Sequence, residues 1–235
     1  MNRYQFERRP MNKLVKHIKE KRAVTQVKEA NKESAQSSVI AQDFSKFKEA
    51  FSKITGTSLS KSNTSRNTLK SAWIESPLGL LLAVGDDNAL HLLEFADERR
   101  LDTIVKKLKD ITKSQIEEGE NESIKSIKAE LKAYFEGTLE EFKTPLCLHG
   151  TQFQKATWEG LINIPYGETR SYKEQANSIG KPSAFRAVAN ANGANRLVIV
   201  VPCHRATASG GELGGFSCGV HRKVWLLNHE KKAKK

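Results

Sequence analysis

Residues 197–205 read Leu-Val-Ile-Val-Val-Pro-Cys-His-Arg, an apolar and largely β-branched run that ends abruptly in polar residues. A run of this length and composition predicts a buried strand over residues 197–201. Proline has no amide hydrogen for a strand ladder, so the strand should end at Pro202 and place Cys203 at the edge of a core. The neighbouring imidazole and guanidinium favour the reactive thiolate, which makes Cys203 a candidate nucleophile. The alternative is a cysteine that only fills space in the core.

The residues before this run predict short helices separated by tight turns. Thr151 is expected to cap the first helix, and a second helix over residues 171–179 should stop at Gly180. Ser183 is then expected to cap a third helix over residues 184–194. Two helices joined by a short glycine-containing turn are typical of a helix-turn-helix.

The third of these helices has unusually small side chains. We expect Phe185, Val188 and Ala189 to form its inner face. Its outer face should carry one arginine among small residues, namely Arg186, Ala187, Asn190, Ala191 and Gly193. Such a helix can bring its backbone close to another surface, and the alternative is a tightly packed internal helix.

The regions on either side also show regular patterns. Residues 71–95 predict an antiparallel meander of three short strands. Two amphipathic helices should follow, separated by a solvated acidic loop over residues 117–122. Their apolar stripes are Leu101, Ile104, Val105, Leu108 and Ile111 in the first helix, and Ile124, Ile127, Leu131 and Phe135 in the second. After Arg205, a glycine-rich loop over residues 210–219 leads to a helix over residues 220–230.

The net charge of +12 is unevenly distributed. Residues 1–70 carry a net +10, residues 71–150 a net −6 and residues 151–235 a net +8. This distribution suggests that the outer segments contact a polyanion such as nucleic acid, and solubility alone is the alternative explanation. No apolar run reaches the roughly 18 residues of a membrane span, and the charged N-terminus does not resemble a signal peptide. We therefore expect an intracellular protein that does not contact a membrane.

The three cysteines, Cys147, Cys203 and Cys218, are widely spaced and predict reduced thiols rather than a disulfide framework. Cys147 is expected to be a core thiol and Cys218 a loop residue without a role. Three cysteines exclude a four-cysteine zinc site, and a mixed site of cysteine and histidine stays open as an alternative, although no motif in the sequence indicates one. No metal is therefore expected.

The N-terminal region differs in composition from the rest of the chain. Residues 1–56 are basic and carry two helical stripes separated by a polar stretch. Residues 57–70 are rich in Ser, Thr, Asn and Lys and predict a linker.

Residues 151–230 resemble the catalytic domain of the O6-alkylguanine-DNA alkyltransferases, or methylated-DNA–protein-cysteine methyltransferases. The matching stretches occur in the order and spacing of that family. They are Gly150-Thr151-x-Phe153-Gln154 with Trp158, Ile164-Pro165-x-Gly167, Ser171-Tyr172, Arg186-Ala187-Val188, Asn195, Pro202-Cys203-His204-Arg205, Gly215-Phe216-Ser217-x-Gly219 and Leu226-Leu227-x-His229-Glu230.

The resemblance implies an α+β fold in two parts and a direct repair reaction. Residues 71–149 would be a small antiparallel-sheet, RNase H-like subdomain. Residues 150–235 would be a mainly helical, winged-helix-like catalytic subdomain containing the helix-turn-helix. An alkyl group on guanine O6, with O4-alkylthymine left open as a second substrate, would pass irreversibly to Cys203. Each molecule would act once, without a cofactor.

The resemblance also implies the catalytic roles. His204, acting through a water molecule, would take the thiol proton, and Glu230 would stabilise the resulting charge. Tyr172 would donate a proton or hydrogen bond to the guanine ring. Asn195 would brace the turn before Pro202 and hold the thiol in place.

The expected partner is double-stranded DNA with alkylated bases, bound by a monomer. The target base must leave the duplex to react, and Arg186 would fill the space that it vacates. The other residues implied in DNA binding are Ser171, Ala187 and Asn190, and those implied in the base pocket are Pro202, Ala206, Phe216 and Ser217.

The chain departs from the family pattern at several positions. Arg196 stands where the family has proline, which makes that turn less rigid, and Ala206 stands where valine is common. Residues 44–57 resemble the end of an arabinose-regulator type of helix-turn-helix, which bacterial adaptive-response regulators carry fused to this domain. Residues 1–56 would then be a basic helical arm or a degenerate form of that module. The alternative function is an alkylation-responsive transcriptional regulator.

Overall fold

The structure is a computed structural model and describes residues 68–233 of the 235-residue chain. The predictions for residues 1–56, and for the linker up to residue 67, lie outside these residues. Between residues 68 and 233, no helix is both long enough and apolar enough to cross a bilayer.

The first half of the described chain is built on a four-stranded sheet. Strands β1 (Thr68–Ile74), β2 (Leu81–Gly85) and β3 (Leu90–Phe95) pair antiparallel, as the meander prediction expected. A fourth strand, β4 (Gln115–Glu118), pairs in parallel with β1 on the other side, giving the order β3-β2-β1-β4.

Two boundary predictions in this sheet were wrong for the same reason. Residues 68–70 belong to β1 rather than to the linker, and Glu117 and Glu118 belong to β4 rather than to a loop. Glu117 pairs with Lys70 and Glu118 with Ser71. Polar composition suggested loops at both places, but residues 68–70 pair with β4, which is the edge strand of the sheet and keeps its charged side chains solvated.

Helices α1 (Leu101–Thr112) and α2 (Glu122–Phe135) cover opposite faces of the sheet. Side chains alternate between faces along a strand, so Leu82 and Val84 pack with α1 while Leu81 and Ala83 pack with α2. The core on the α2 side continues into the second half of the chain, where it includes Cys203. The sheet thus forms the back wall of the region around the candidate nucleophile.

The second half of the chain is mainly helical. Its helices are α3 (Gln152–Ile162), α4 (Tyr172–Ser178), α5 (Phe185–Gly193) and α6 (Val220–Ala233), and two short strands, β5 (Arg170–Ser171) and β6 (Ala206–Thr207), pair in parallel. Thr151 caps α3 as predicted, in a reciprocal arrangement with Gln154. Helices α4 and α5 form the predicted helix-turn-helix, with Gly180 at a φ of +68° after the end of α4.

The start of α5 differs from the prediction. A 3₁₀ turn, Pro182–Ala184, precedes the helix, so Ser183 lies inside this turn and does not cap α5. Phe185 was expected on the inner face but is 42% exposed, because it lies at the first position of the helix. The inward face consists instead of Val188, Ala191 and Asn192, which follow helical spacing.

The predicted strand over residues 197–201 was also wrong. Only Leu197 pairs with the sheet, in a parallel bridge to Leu93, and the chain then turns with Ile199 at a φ of +72°. The side chain of Asn195 closes this turn, since its Oδ1 accepts from the Leu197 amide and its Nδ2 donates to the Val201 carbonyl, both at 2.9 Å. Residues 197–201 are all buried, so the apolar run correctly predicted a core segment but not the backbone conformation of that segment.

Candidate active site

Cys203 begins a 3₁₀ turn, Cys203–Arg205, directly after the buried turn of residues 197–201. Its side chain is 5% exposed, and the Nδ2 of Asn195 donates to its Sγ at 3.2 Å. Burial raises the pKa of the Cys203 thiol to about 11, although the hydrogen bond from Asn195 acts in the opposite direction. The thiol is therefore protonated in the free protein, and a reaction at Sγ needs a proton acceptor nearby.

His204, the residue that follows Cys203, forms a fully buried pair with Glu230, with 2.7 Å between Nε2 and Oε1. Burial alone would raise the pKa of Glu230, but His204 and Arg205 lower it to about 2, so the carboxylate is ionised and can only accept. His204 must then donate from Nε2. Burial lowers the pKa of His204, so the ring is neutral and its Nδ1 carries a free electron pair. Nδ1 has no hydrogen-bond partner among residues 68–233.

Glu230 is held by three further groups besides His204. Arg205 donates from Nε and Nη2 at 3.0 Å each, Tyr134 donates its hydroxyl at 2.8 Å, and the Gly167 amide donates at 3.0 Å. Tyr134 lies on α2, so the sheet half of the chain also contributes to the orientation of this carboxylate. Charge-assisted hydrogen bonds of this kind fix an acceptor strongly in a buried setting.

A second set of ionisable groups surrounds Cys203 from other directions. Glu94 on β3 is fully buried, and its Oε1 accepts from the thiol of Cys218 at 3.5 Å. Lys223 on α6 is also fully buried and donates to the carbonyl of Ala206. Burial raises the pKa of Glu94 to about 7 and lowers that of Lys223 to about 8. Cys218 was expected to be a loop residue without a role, but it is 5% exposed and contacts Glu94.

A cavity of about 310 Å³ opens in front of Cys203. Besides Cys203, its lining includes four of the predicted site residues: Tyr172, Asn190, Phe216 and Ser217. Pro202 and Ala206, which were predicted to line the pocket, are buried and are not part of its wall. The Tyr172 hydroxyl donates to the Gly215 carbonyl at 3.4 Å, and burial together with Cys203 raises its pKa, so the phenol keeps its proton. The volume lies within the usual range of small-ligand pockets.

Helix α5 forms one side of this cavity and presents its other side to solvent. Arg186, Ala187 and Asn190 are exposed, as predicted. Ser171 caps α4 in a reciprocal arrangement with Glu174, which gives it a structural contact in addition to its position near the helix-turn-helix.

Buried polar contacts fix α5 against its neighbours. Asn192 donates to the Oε1 of Gln175 at 2.8 Å, and Gln175 donates to the Thr157 carbonyl at 2.9 Å. Trp158 donates to the Ala191 carbonyl at 2.8 Å. These bonds hold the helix-turn-helix in one orientation relative to the cavity.

The chain matches two protein-family models that together cover most of the described residues. Residues 69–148 match the ribonuclease-like domain of 6-O-methylguanine DNA methyltransferase, and residues 152–232 match the DNA binding domain of the same proteins. A methylated-DNA–protein-cysteine methyltransferase of Methanosarcina barkeri is 43% identical over 157 residues, which are 67% of this chain and 94% of the relative. The chain belongs to the methylated-DNA–protein-cysteine methyltransferase family.

Other members of the family agree with this assignment in sequence and structure. A relative from Mycobacterium leprae is 40% identical over 158 residues, 67% of this chain and 90% of the relative. The crystal structure of the Mycobacterium tuberculosis O6-methylguanine methyltransferase has a TM-score of 0.61 and 39% identity, and covers 70% of this chain and 94% of its own. A structure of the M. tuberculosis protein in complex with DNA gives a TM-score of 0.60 at 39% identity, over 71% and 94% of the two chains.

Sequence reasoning missed several residues around Cys203. Arg205 and His204 were expected to favour the Cys203 thiolate, but burial raises the pKa of that thiol and the Arg205 guanidinium holds Glu230 instead. Tyr134 was not singled out at all. The signal for Tyr134 was a hydroxyl on the apolar face that also carries Ile127 and Leu131. Glu94 and Lys223 gave no signal, because a single charged residue normally predicts an exposed side chain.

One group of potential metal ligands occurs among the described residues. His91, Cys147 and His149 each offer a donor atom, and these atoms all lie within 4.8 Å of one another. None of the three lines the cavity at Cys203. Cys147 was predicted to be a core thiol but is only half-buried.

Proposed function

We propose that the protein repairs alkylated DNA by transferring the alkyl group of O6-alkylguanine to the Sγ of Cys203 in a single turnover. The observation that carries the proposal is a protonated, buried thiol that lines a cavity and is followed directly in the chain by His204, itself buried and paired with Glu230. Membership of the family supports the same reaction, since its relatives are methylated-DNA–protein-cysteine methyltransferases by name.

The proposed reaction balances with the groups present. The Sγ–carbon bond forms as the bond between carbon and O6 breaks, and the electron pair of the broken bond stays on guanine. His204 Nδ1 takes the thiol proton by way of a water molecule, and Tyr172 gives its proton to the guanine ring, so guanine leaves uncharged. The proton on His204 then returns through solvent to the Tyr172 oxygen, which restores both side chains. The products are a thioether at Cys203 and intact guanine. Because a thioether does not exchange with thiols, the protein is consumed, and no cofactor is needed.

The DNA partner follows from α5 and from the relatives. A structure of the M. tuberculosis protein is a DNA complex, and α5 here exposes Arg186 between small residues next to the cavity. The target guanine rotates out of the duplex into the cavity, and Arg186 occupies the space left in the base stack. Ala187 and Asn190 allow the helix backbone to approach the groove. Affinity comes mainly from phosphate contacts, so the protein binds DNA with little sequence preference. The proposed binding unit is a monomer.

The test is a transfer assay with duplex DNA that carries O6-methylguanine labelled in the methyl group. We expect one label per protein molecule, located after digestion on the peptide that contains Cys203. A Cys203→Ser variant should bind the DNA and acquire no label. Label on another residue, or repeated turnover by one molecule, would contradict the proposal.

A further inference from the structure

One aromatic ring of the helix-turn-helix is left in solvent. Phe185, the first residue of α5, is 42% exposed, and it is the only exposed Phe, Tyr or Trp among residues 68–233. The exposed face of α5 otherwise carries small or polar side chains such as Ala187 and Asn190, together with Arg186. Phenylalanine normally packs into a core, so a phenyl ring on the face proposed to meet DNA is unusual in its position as well as in its exposure.

The backbone on both sides of Phe185 is well fixed. The amide of Lys181 donates to the Ala176 carbonyl at 2.9 Å, and the amide of Ala184 donates to the Lys181 carbonyl at 2.8 Å. Val188, three residues into α5, is fully buried. The ring is therefore attached to a rigid segment, which a side chain needs if it is to displace part of another molecule.

Phe185 and Arg186 form a contact with each other at the start of α5. The guanidinium carbon of Arg186 lies 5.6 Å from the centre of the Phe185 ring, within the usual range of a cation–π contact. Neighbouring residues of an α-helix point in directions roughly 100° apart, so their side chains normally diverge. Here the arginine bends back towards the ring, and a DNA molecule that meets Arg186 also meets Phe185.

We propose that Phe185 inserts its ring from the minor groove into the base step beside the alkylated guanine, a role that rests on the proposed function. Phenylalanine is among the apolar side chains that minor-groove proteins insert between base pairs. Rotation of the guanine out of the duplex breaks its stacking on the neighbouring base pair, and the phenyl ring replaces part of that stacking. Arg186 fills the vacated position, and Phe185 holds the adjoining step open.

This insertion acts on the duplex and not on the reaction at Sγ. Phe185 does not line the cavity at Cys203, so it does not contact the guanine that has entered the cavity. A single strand has no paired base step to open, so its alkylated guanine reaches the cavity without the ring. Every base has a face on which a ring can stack, so the insertion adds no requirement for a particular sequence.

The experiment measures single-turnover methyl transfer by the full-length protein from O6-methylguanine in a duplex and in the single strand of the same sequence. Phe185→Ala should slow transfer from the duplex about tenfold and transfer from the single strand less than about twofold. Phe185→Leu keeps an apolar side chain that can also enter a base step, and it should recover most of the duplex rate. Ile162→Ala is the matched control, because it truncates a side chain at the end of α3 that is 45% exposed, and it should follow the native protein on both substrates.

The Arg186→Ala background separates the ring from the arginine. If Phe185 enters the base step itself, Phe185→Ala should slow the duplex reaction by a further factor of about three or more in that background. No further loss would show that the ring only orients Arg186, and it would overturn the proposal.

Three other results would also overturn it: equal slowing on the duplex and the single strand, no slowing on either, or a Phe185→Leu variant as slow as Phe185→Ala. The proposed function fails in a different way, since the native protein would then transfer no methyl group from either substrate.

Discussion

The two sides of Cys203 are built in opposite ways. On one side, His204, Arg205 and Glu230 are buried, and the carboxylate receives hydrogen bonds from four different residues. On the other side, the cavity is lined by half-buried or exposed residues such as Tyr172 and Ser217, and α5 turns Arg186 to solvent. The groups proposed to move the proton are fixed before DNA binds, whereas the groups proposed to hold the base are left free to meet it.

This difference means that proton transfer and base binding carry different free-energy costs of ordering. Ordering a buried charge network during the reaction would cost several kilocalories per mole, so having it ordered in the folded protein removes this cost from the reaction. An ordered surface in front of the thiol would give no such benefit, because the DNA backbone and the rotated base supply the missing contacts. Substitutions on the two sides should therefore produce different signatures in stability and in activity.

The largest effect is expected for Glu230→Gln. The change leaves Arg205, which is 6% exposed, without its counter-charge and removes the acceptor for His204. Breaking a buried ion pair from one side should cost roughly 3 kcal/mol in the free energy of unfolding. Loss of the proposed proton relay should slow methyl transfer about 100-fold. Urea unfolding and single-turnover kinetics measure the two quantities.

Glu159→Gln on an exposed part of α3 is the matched control and should change neither quantity appreciably. A Glu230→Gln variant that is destabilised but transfers methyl groups at the native rate would show that the carboxylate has only a structural role. The pH dependence offers a second check. The depressed pKa of Glu230, about 2 in the folded protein, means that its contribution to stability is complete above about pH 4.5 and is lost as the pH falls from there towards 2.

The Arg186→Ala variant tests the side of Cys203 that is formed by the cavity and the solvent-exposed face of α5. Arg186 is exposed, so the free energy of unfolding should stay within about 0.5 kcal/mol of the native value. Transfer from O6-methylguanine in duplex DNA should slow roughly tenfold, because the vacated stack is no longer filled. Reaction with free O6-benzylguanine should be unchanged, since that substrate need not leave a duplex.

The control for Arg186 is Lys132→Ala on α2, which removes an exposed cation from the sheet half. This control should not change the reaction rate with duplex DNA or with free O6-benzylguanine. Equal losses on duplex DNA and on free O6-benzylguanine in Arg186→Ala would place the arginine in the reaction itself and would contradict the proposed division between the two sides.

The same two sides differ in how well the sequence predicted them. The pattern around Pro202 pointed to Cys203, the small side chains of the predicted helix pointed to the exposed face of α5, and the family resemblance added the roles of His204 and Glu230. The wrong predictions lie where tertiary contacts override local pattern. Residues 197–201 look like a strand, but the side chain of Asn195 bonds both ends of the run and folds it into a turn.

The supporting residues could not be predicted from local pattern. Tyr134 and Glu230 are far apart in the chain, and only the packing of α2 against α6 makes one a donor to the other. Glu94 reads as an ordinary surface acid in a sequence and is fully buried in the fold. Side chains that satisfy buried charges act across elements, so spacing along the chain carries no record of them.

A smaller effect, dependent on pH, is expected for Glu94→Gln. Burial raises the pKa of Glu94 to about 7, while Arg196 lowers it and Glu98 raises it, and the Glu94 charge in turn raises the pKa of Cys203. Below pH 7 the carboxyl is neutral, and above pH 7 its charge opposes formation of the Cys203 thiolate. The variant is neutral throughout, so it should react with free O6-benzylguanine about threefold faster than the native protein at pH 8 and equally fast at pH 6.

Cys218, Lys223 and Arg196 also face this region and are unchanged in the Glu94→Gln variant. Glu118→Gln on β4 provides an exposed control and should follow the native profile. A constant ratio between Glu94→Gln and the native protein across this pH range would show that Glu94 does not influence the thiol through its charge.

The smallest effect on methyl transfer is expected for Tyr134→Phe. This change removes the hydroxyl of one of the four residues that donate to Glu230 and keeps the shape of the core. The lost hydroxyl bond of 2.8 Å to a buried carboxylate should cost about 1.5 kcal/mol in the free energy of unfolding. Tyr166→Phe is a close control, because Tyr166 is also buried and its hydroxyl has no hydrogen-bond partner in the part of the chain that the structure describes. That change should be neutral or slightly stabilising.

If the two variants lose equal stability, the cost comes from repacking of the aromatic cluster, and Tyr134 does not help to order the buried side of the site. If Tyr134→Phe alone is destabilised, and methyl transfer slows only about twofold, the remaining three donors are enough to keep Glu230 in position.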